Sequence, residues 1–197
     1  MNIISLPTDI KLKTKRLLMR YPEIGDAGDI YSVVSSPLFP EQLPLKEMNE
    51  VTKIEEWLKR LQENWVKGQA FSWIVEGRDS GKLIGQNTLS RIKRDDIWAL
   101  AFWTHPESWG NGYATEGAER ILAFGFEDIN ASKIWAGAGE WNKGSMRVLE
   151  KIGMKYTGLN PEGYYLNGES ITTYEYEISK GEWQTRTRRQ HFFEIVV

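Results

Sequence analysis

The sequence predicts one mixed α/β domain: a central, largely antiparallel, twisted sheet of about seven strands flanked by about four helices. Two patterns point there. Short runs rich in β-branched and aromatic residues alternate with longer stretches whose apolar residues recur at helical spacing. They follow in the order β-α-α-β-β-β-α-β-α-β-β, so strands adjacent in the chain recur without intervening helices. A length of 197 residues fits one large domain, or one with a small extension. Residues 1–180 form the expected domain and 181–197 a C-terminal tail.

The elements follow in order. RLLMRY (16–21) alternates as a strand does. Residues 24–34 read as a first helix, with Asp26 and Asp29 near its start. Three prolines in 35–45 prevent regular structure for long. Thr52 is placed to cap a second helix reaching about Lys67, because Ile54, Trp57, Leu58, Leu61 and Trp65 share a stripe. Residues 71–76 and 82–92 are strands about a turn at Arg78-Asp79-Ser80-Gly81. Residues 97–105 are apolar enough for a sheet centre. Beyond Gly110-Asn111-Gly112, a helical face of Ala114, Ala118, Ile121, Leu122 and Gly125 runs to about Phe126. Residues 133–138 make another strand. Asn142 is a good N-cap, Ser145, Val148, Leu149 and Ile152 share a stripe, and Gly153 ends that helix. Strands at 154–158 and 170–179 close the domain around a loop holding Pro161, Gly163 and Gly168.

Composition narrows the function. The formal net charge of −2 is far from the strongly basic balance of a nucleic-acid binder. Arg186, Arg188 and Arg189 form a basic cluster in the tail, which reads as a solvated charge run. The absence of cysteine excludes a cysteine nucleophile and a thiolate metal site. His105 and His191 are the only histidines, so no histidine-based metal motif exists and no metal is expected. No apolar run approaches the roughly 20 residues that span a bilayer, and no signal-like segment opens the chain. A cytoplasmic protein, monomeric or homodimeric and requiring neither membrane nor nucleic acid, is the expectation.

A strand, a Gly-x-Gly turn and a helix bring backbone N–H groups to one point, where the helix start adds partial positive charge. That is an anion site needing no lysine. The glycines would let the backbone approach its ligand closely. A Walker A loop fails because Tyr113 follows Gly112, and a dinucleotide fingerprint lacks its third glycine at Thr115.

The stretches FWTHPESWGNGYATEGAERIL (102–122) and NKGSMRVLEKIGMKYTG (142–158) resemble the GNAT superfamily of N-acetyltransferases, in its ribosomal-protein N-terminal acetyltransferase branch. TKRLLMRYPEIGDAGDIYSVVSSP (14–37) is similar to that branch's opening and GEW (181–183) to its ending, so the resemblance covers nearly the whole chain. It implies acetyl-CoA as the anionic ligand and an amine as acceptor, either a protein N-terminus or a small amine. It implies that Trp109, Gly110, Asn111, Gly112, Tyr113, Ala114 and Thr115 hold the pyrophosphate through their backbone. Phe102, Trp103 and Thr104 would pair with the pantetheine arm where two strands splay, the second being 133–138. Asn142 would touch that arm and Ser145 the departing sulfur, although Asn142 also suits a plain N-cap and Ser145 an N3 residue satisfying a backbone group.

One departure matters. Many relatives place a glutamate three residues before the aromatic at Phe102, and here that position is Ala99. Substitute bases are Asp96, Glu140 and His105. Glu140, beside Asn142, is preferred; Asp96 reads as a turn residue and His105 as a structural one. An α-amine, with a pKa near 8, needs less help than a lysine amine near 10.4. The resemblance puts the acceptor between the first two helices and the loop at 159–169, with Phe39, Tyr164 and Tyr165 as candidate walls. Trp57 reads as core. A protein or peptide α-amine is the preferred acceptor, attacked directly in a ternary complex. A small amine (a polyamine, amino acid or antibiotic) and a weakly catalytic acyl-CoA-binding module are the alternatives.

Overall fold

A computed structural model describes the backbone of residues 4–92 and 96–194, with side chains to 187. Its strands are β1 (Leu12–Lys13), β2 (Leu17–Arg20), β3 (Ala70–Gly77), β4 (Leu83–Arg91), β5 (Ile97–Thr104), β6 (Lys133–Gly139), β7 (Lys155–Leu166) and β8 (Glu169–Ser179). The helices are α1 (Ala27–Val34), α2 (Val51–Val66), α3 (Tyr113–Glu127), α4 (Lys143–Lys151) and α5 (Lys180–Glu194). One sheet runs in the order β1-β2-β3-β4-β5-β6-β8-β7, and only the β5–β6 pair is parallel. That pair flanks α3, as a crossover requires. The expected mixed fold is therefore present, with an additional short strand and an additional helix.

The two faces of the sheet bury different clusters. Trp98, Leu100, Ile121, Leu122 and Phe124 belong to the larger one, which α3 closes. Trp65, Phe71, Trp73 and Phe124 meet there edge-on at centroid distances of 4.8–5.2 Å. Such ring pairs add about 0.5–1.5 kcal/mol each beyond area burial. The smaller cluster sits under α1 and α2, where Ile30, Val33, Ile54 and Leu58 pack on Ile74. Trp57 packs partly buried against it, as its stripe predicts.

Three expectations need correction. Glu50, not Thr52, precedes α2, and no side chain caps that helix; Thr52 lies within its first turn. The loop at 159–169 is mostly strand: β7 continues to Leu166 and the hairpin turns at Asn167-Gly168. β7 tolerates Pro161 because it is an edge strand, interrupted by an irregularity between Asn160 and Tyr164. Gly163 is required there, since a Cβ would run into Thr173. Residues 180–194 are helical. Trp183 anchors this segment, 8% exposed, with its ring 5.4 Å from Phe126. Arg186 pairs with Glu119 at 2.6 Å and is thus not part of a free basic run. The Arg188 and Arg189 side chains lie outside the described residues.

Candidate active site

The site begins where β5 leaves β6. Their pairing covers Ile97, Trp98 and Ala99 against Lys133, Ile134 and Trp135 and goes no further. β5 stays paired to β4 through Thr104, and β6 to β8 through Gly139. Each strand thus keeps its outer partner and turns an inner edge, 100–104 on β5, toward a wedge. Unpaired edges hold backbone donors and acceptors for an extended ligand.

The glycine turn stands at the end of β5. Gly110 and Gly112 take left-handed φ values of +77° and +78°, with Gly112 directly before α3. A Cβ would meet nothing at Gly110 and only Arg16 Nη2, at 3.5 Å, at Gly112. Within the protein, backbone conformation rather than space is therefore what demands glycine here. Backbone N–H groups of Gly110, Asn111, Gly112, Tyr113, Ala114 and Thr115 find no acceptor among the described residues; the first satisfied one is Glu116, on Gly112 O at 3.0 Å.

A brace holds the turn from behind. Glu116 accepts from Thr14 Oγ1 at 2.6 Å, from the Arg16 backbone at 2.8 Å and from Arg16 Nε at 2.6 Å. Arg16 Nη1 donates to Asn111 O at 2.9 Å, and the guanidinium lies 4.5 Å from the Tyr113 ring centre. Burial works to raise the Glu116 pKa, but these bonds and the Arg16 charge outweigh it and hold the carboxyl below its usual value. Arg16 thereby neutralises an acid that would otherwise repel an anion at the helix start.

The end of β5, the turn and α4 line one cavity of about 590 Å³. Of the residues expected to hold the cofactor, Phe102, Trp103, Thr104, Trp109, Gly110, Gly112, Tyr113, Ala114, Thr115, Asn142 and Ser145 line it. Asn111 does not; its side chain folds back onto Ser108 O and Trp109 O. Trp109 Nε1 donates to Thr104 O at 2.9 Å, which fixes the ring beside the turn. Asn142 Oδ1 accepts from Ser145 N at 2.9 Å, so Asn142 is the N-cap of α4 and its amide NH₂ remains to face a ligand. The Ser145 hydroxyl has no partner among the described residues.

The other candidates fall elsewhere. Glu140 is exposed, outside the cavity wall, with its backbone N–H on Thr172 O. Phe39 is 1% exposed and packs edge-on at 6.1 Å against Trp103, so it backs a wall without forming one. Tyr164 Oη accepts from Trp141 Nε1 at 3.0 Å and donates to Gln42 O at 2.9 Å, tying the β7–β8 hairpin to the segment before α2. Tyr165 points the other way, 64% exposed, as strand alternation requires. His105 Nδ1 accepts from Glu107 N at 3.1 Å and caps a short turn.

Sequence reasoning missed the cations. Lys143, Arg147 and Lys151 line the cavity four residues apart on α4, facing the glycine turn, and no acidic residue is among the lining residues. Their i, i+4, i+8 spacing was the available signal. The donor set therefore fits a polyanion with an extended, amide-bearing arm. Backbone N–H groups and the α4 cations would hold the phosphates of acetyl-CoA, and the free β5 edge its arm.

Known proteins agree. Residues 16–155 match the family described as "Acetyltransferase (GNAT) domain". The uncharacterised N-acetyltransferase YoaA of Bacillus subtilis is 26% identical over 170 residues, 86% of this chain and 96% of its own. RimJ of Mycobacterium smegmatis, solved with CoA-disulfide, superposes with a TM-score of 0.74 at 18% identity, covering 88% of this chain and 87% of that one. The ribosomal-protein-S5-alanine acetyltransferase of Vibrio fischeri gives 0.74 at 20% identity, covering 89% and 99%. An unpaired β5 edge, an N–H-lined glycine turn and a match over most of the sheet thus coincide, and the chain belongs to the GNAT family as an acetyl-CoA-dependent N-acetyltransferase.

Proposed function

We propose that this chain acetylates the α-amino group of a protein or peptide, by direct attack within a ternary complex. The observation that carries the reading is the shape and charge of the acceptor side. The wedge opens onto the sheet face shared by Ala99, Ala101 and Gly137, of which Ala101 and Gly137 are exposed. Small residues on that face leave room for a polypeptide end. The cavity offers a polyamine no carboxylate among the described residues. On that face Glu177 is paired with Lys133 at 2.8 Å, which leaves Glu175 as a single carboxylate there rather than an acidic row for a polyamine. Similarity to an acetyltransferase named for a ribosomal-protein alanine points the same way.

Bound acetyl-CoA supplies an activated acetyl thioester. The chain's part is to hold and polarise. N–H groups at 110–115 fix the phosphates and the β5 edge aligns the arm. The Ser145 hydroxyl is free to donate to the leaving sulfur, a role worth roughly 10²–10⁴-fold for positioned acids. With no cysteine in the chain, no cysteine acyl-enzyme can form.

The test is thiol release from acetyl-CoA with peptides of varied N-terminus, set against polyamines, amino acids and aminoglycosides. Peptide-dependent release supports the reading. Release only with small amines overturns the acceptor assignment. A CoA-induced rise in melting temperature without release from any acceptor overturns it in favour of a binding module.

A further inference from the structure

An amine that arrives as an ammonium must lose a proton before it can attack, and Ala99, at the parting of β5 and β6, supplies no group to take it. We propose that Glu175 of β8 is that group, an inference that rests on the acetyl-transfer reading above. Register places it. Ala99 pairs with Trp135 and Trp135 with Glu177, so these three share one face of the sheet. Two residues further along each strand, Ala101, Gly137 and Glu175 share the same face, at the level where β5 and β6 have parted. Gly137 then becomes decisive. A Cβ there would lie 3.6 Å from Glu175 Oε1 and 3.2 Å from the Trp135 ring. The carboxylate thus lies across a bare glycine beside the wedge, and the Trp135 ring lies against that same glycine.

Thr173 Oγ1 donates to Glu175 Oε1 and positions it, which leaves Oε2 to receive a proton. Among the described residues no cation pairs with Glu175. The charged neighbours on its face are otherwise engaged: Lys133 with Glu177, and Lys155 with Glu182 at 2.6 Å. The rival carboxylates are worse placed. Glu140 is exposed and follows the last residue of β6, whereas Glu175 is half-buried within β8, and Asp96 precedes β5 at the end remote from the wedge.

The protons balance. The acceptor arrives as an ammonium and ends as an amide, losing two protons while its C–N bond forms and the C–S bond breaks. Glu175 takes one, directly or through one water, and returns it to solvent. The other ends on the departing sulfur by way of the Ser145 hydroxyl.

The experiment compares pH profiles of kcat/KM for wild type, Glu175→Gln and Glu175→Gln with Ala99→Glu, alongside CoA affinity. Glu175→Gln is isosteric and keeps the acceptor for Thr173. It should lower kcat/KM by about 10²-fold or more near neutral pH, with CoA affinity unchanged. The deficit should shrink as pH rises and solvent supplies neutral amine. A carboxylate restored at position 99, on the same face, should recover about tenfold or more, which a structural role for Glu175 would not allow. Activity within about threefold of wild type, with the same pH profile, overturns the assignment. So does a loss that is constant across pH and unrescued by the second carboxylate. Wild-type turnover with peptides tests the acceptor reading by itself. The ratio of variant to wild type, on whichever amine turns over, tests Glu175.

Discussion

Replacing Gly112 by alanine separates the two things the turn does. Gly112 has φ +78° and ψ 6°, the left-handed region, where an L-residue costs about 1–2 kcal/mol. The new Cβ would touch only Arg16 Nη2 at 3.5 Å, an ordinary contact, so clash adds nothing. If the turn holds its shape, the protein loses that strain energy, or about 2–8 °C in Tm for a chain of this size. If the turn relaxes, its N–H groups no longer converge. A hydrogen bond to a charged group contributes about 1.5–3 kcal/mol, so losing one weakens CoA binding by about 10- to 150-fold. Gly81→Ala is the control, because Gly81 has φ +65° with nothing within 4 Å and sits in the β3–β4 turn. Calorimetric titration with CoA and thermal melts of both variants decide it. The expected result is similar destabilisation in both and weakened CoA binding only in Gly112→Ala. CoA affinity within about twofold of wild type in Gly112→Ala would refute the turn's role as the phosphate cradle.

Three further outcomes follow from the same geometry. Ser145→Ala should reduce kcat by about 100-fold or more while leaving CoA affinity intact, since only the hydroxyl is removed and the Asn142 cap uses the backbone; thiol release and titration measure the two separately. Neutralising Lys143, Arg147 and Lys151 together should weaken CoA binding and flatten its dependence on salt, as expected for screened charges. Glu182 is held down to about 2 by Lys155 and by the Ser179 hydroxyl and backbone. A depressed carboxyl stabilises the fold above its unfolded value of 4.5 and loses that contribution as pH falls toward 2. Glu182→Gln should therefore melt lower than wild type near pH 6, and the two should converge as the pH is lowered through that window.

How much of this could be read from the chain depends on how local each signal is. The glycine turn was legible because its parts are contiguous: an apolar strand, two glycines and a helical stripe in register with them. Asn142 was legible as an N-cap for the same reason. The wedge was legible only through the family resemblance, since it depends on β5 and β6 pairing at three positions and then parting, a relation between strands about 35 residues apart that no local period encodes. The second half of β7, beyond the expected strand at 154–158, was hidden by Pro161 and Gly163, which read as loop until Thr173 is seen to crowd the glycine. Helix α5 has almost no apolar stripe; Trp183 and the Arg186–Glu119 pair dock it, and both are tertiary contacts. The basic row on α4 was overlooked because that helix was read for its apolar face. Phe39, a candidate wall of the acceptor site by resemblance, is buried against Trp103, a tertiary contact that its position among prolines does not signal.

The central claim is that the β5 edge and the N–H groups of the glycine turn are the acetyl-CoA site. Amide hydrogen exchange with and without CoA tests it most directly. The account predicts new protection confined to the amides at 100–104 and 110–115, with the β3–β4 turn unchanged. Protection absent from both stretches in the presence of saturating CoA, or appearing elsewhere on the sheet instead, would contradict it.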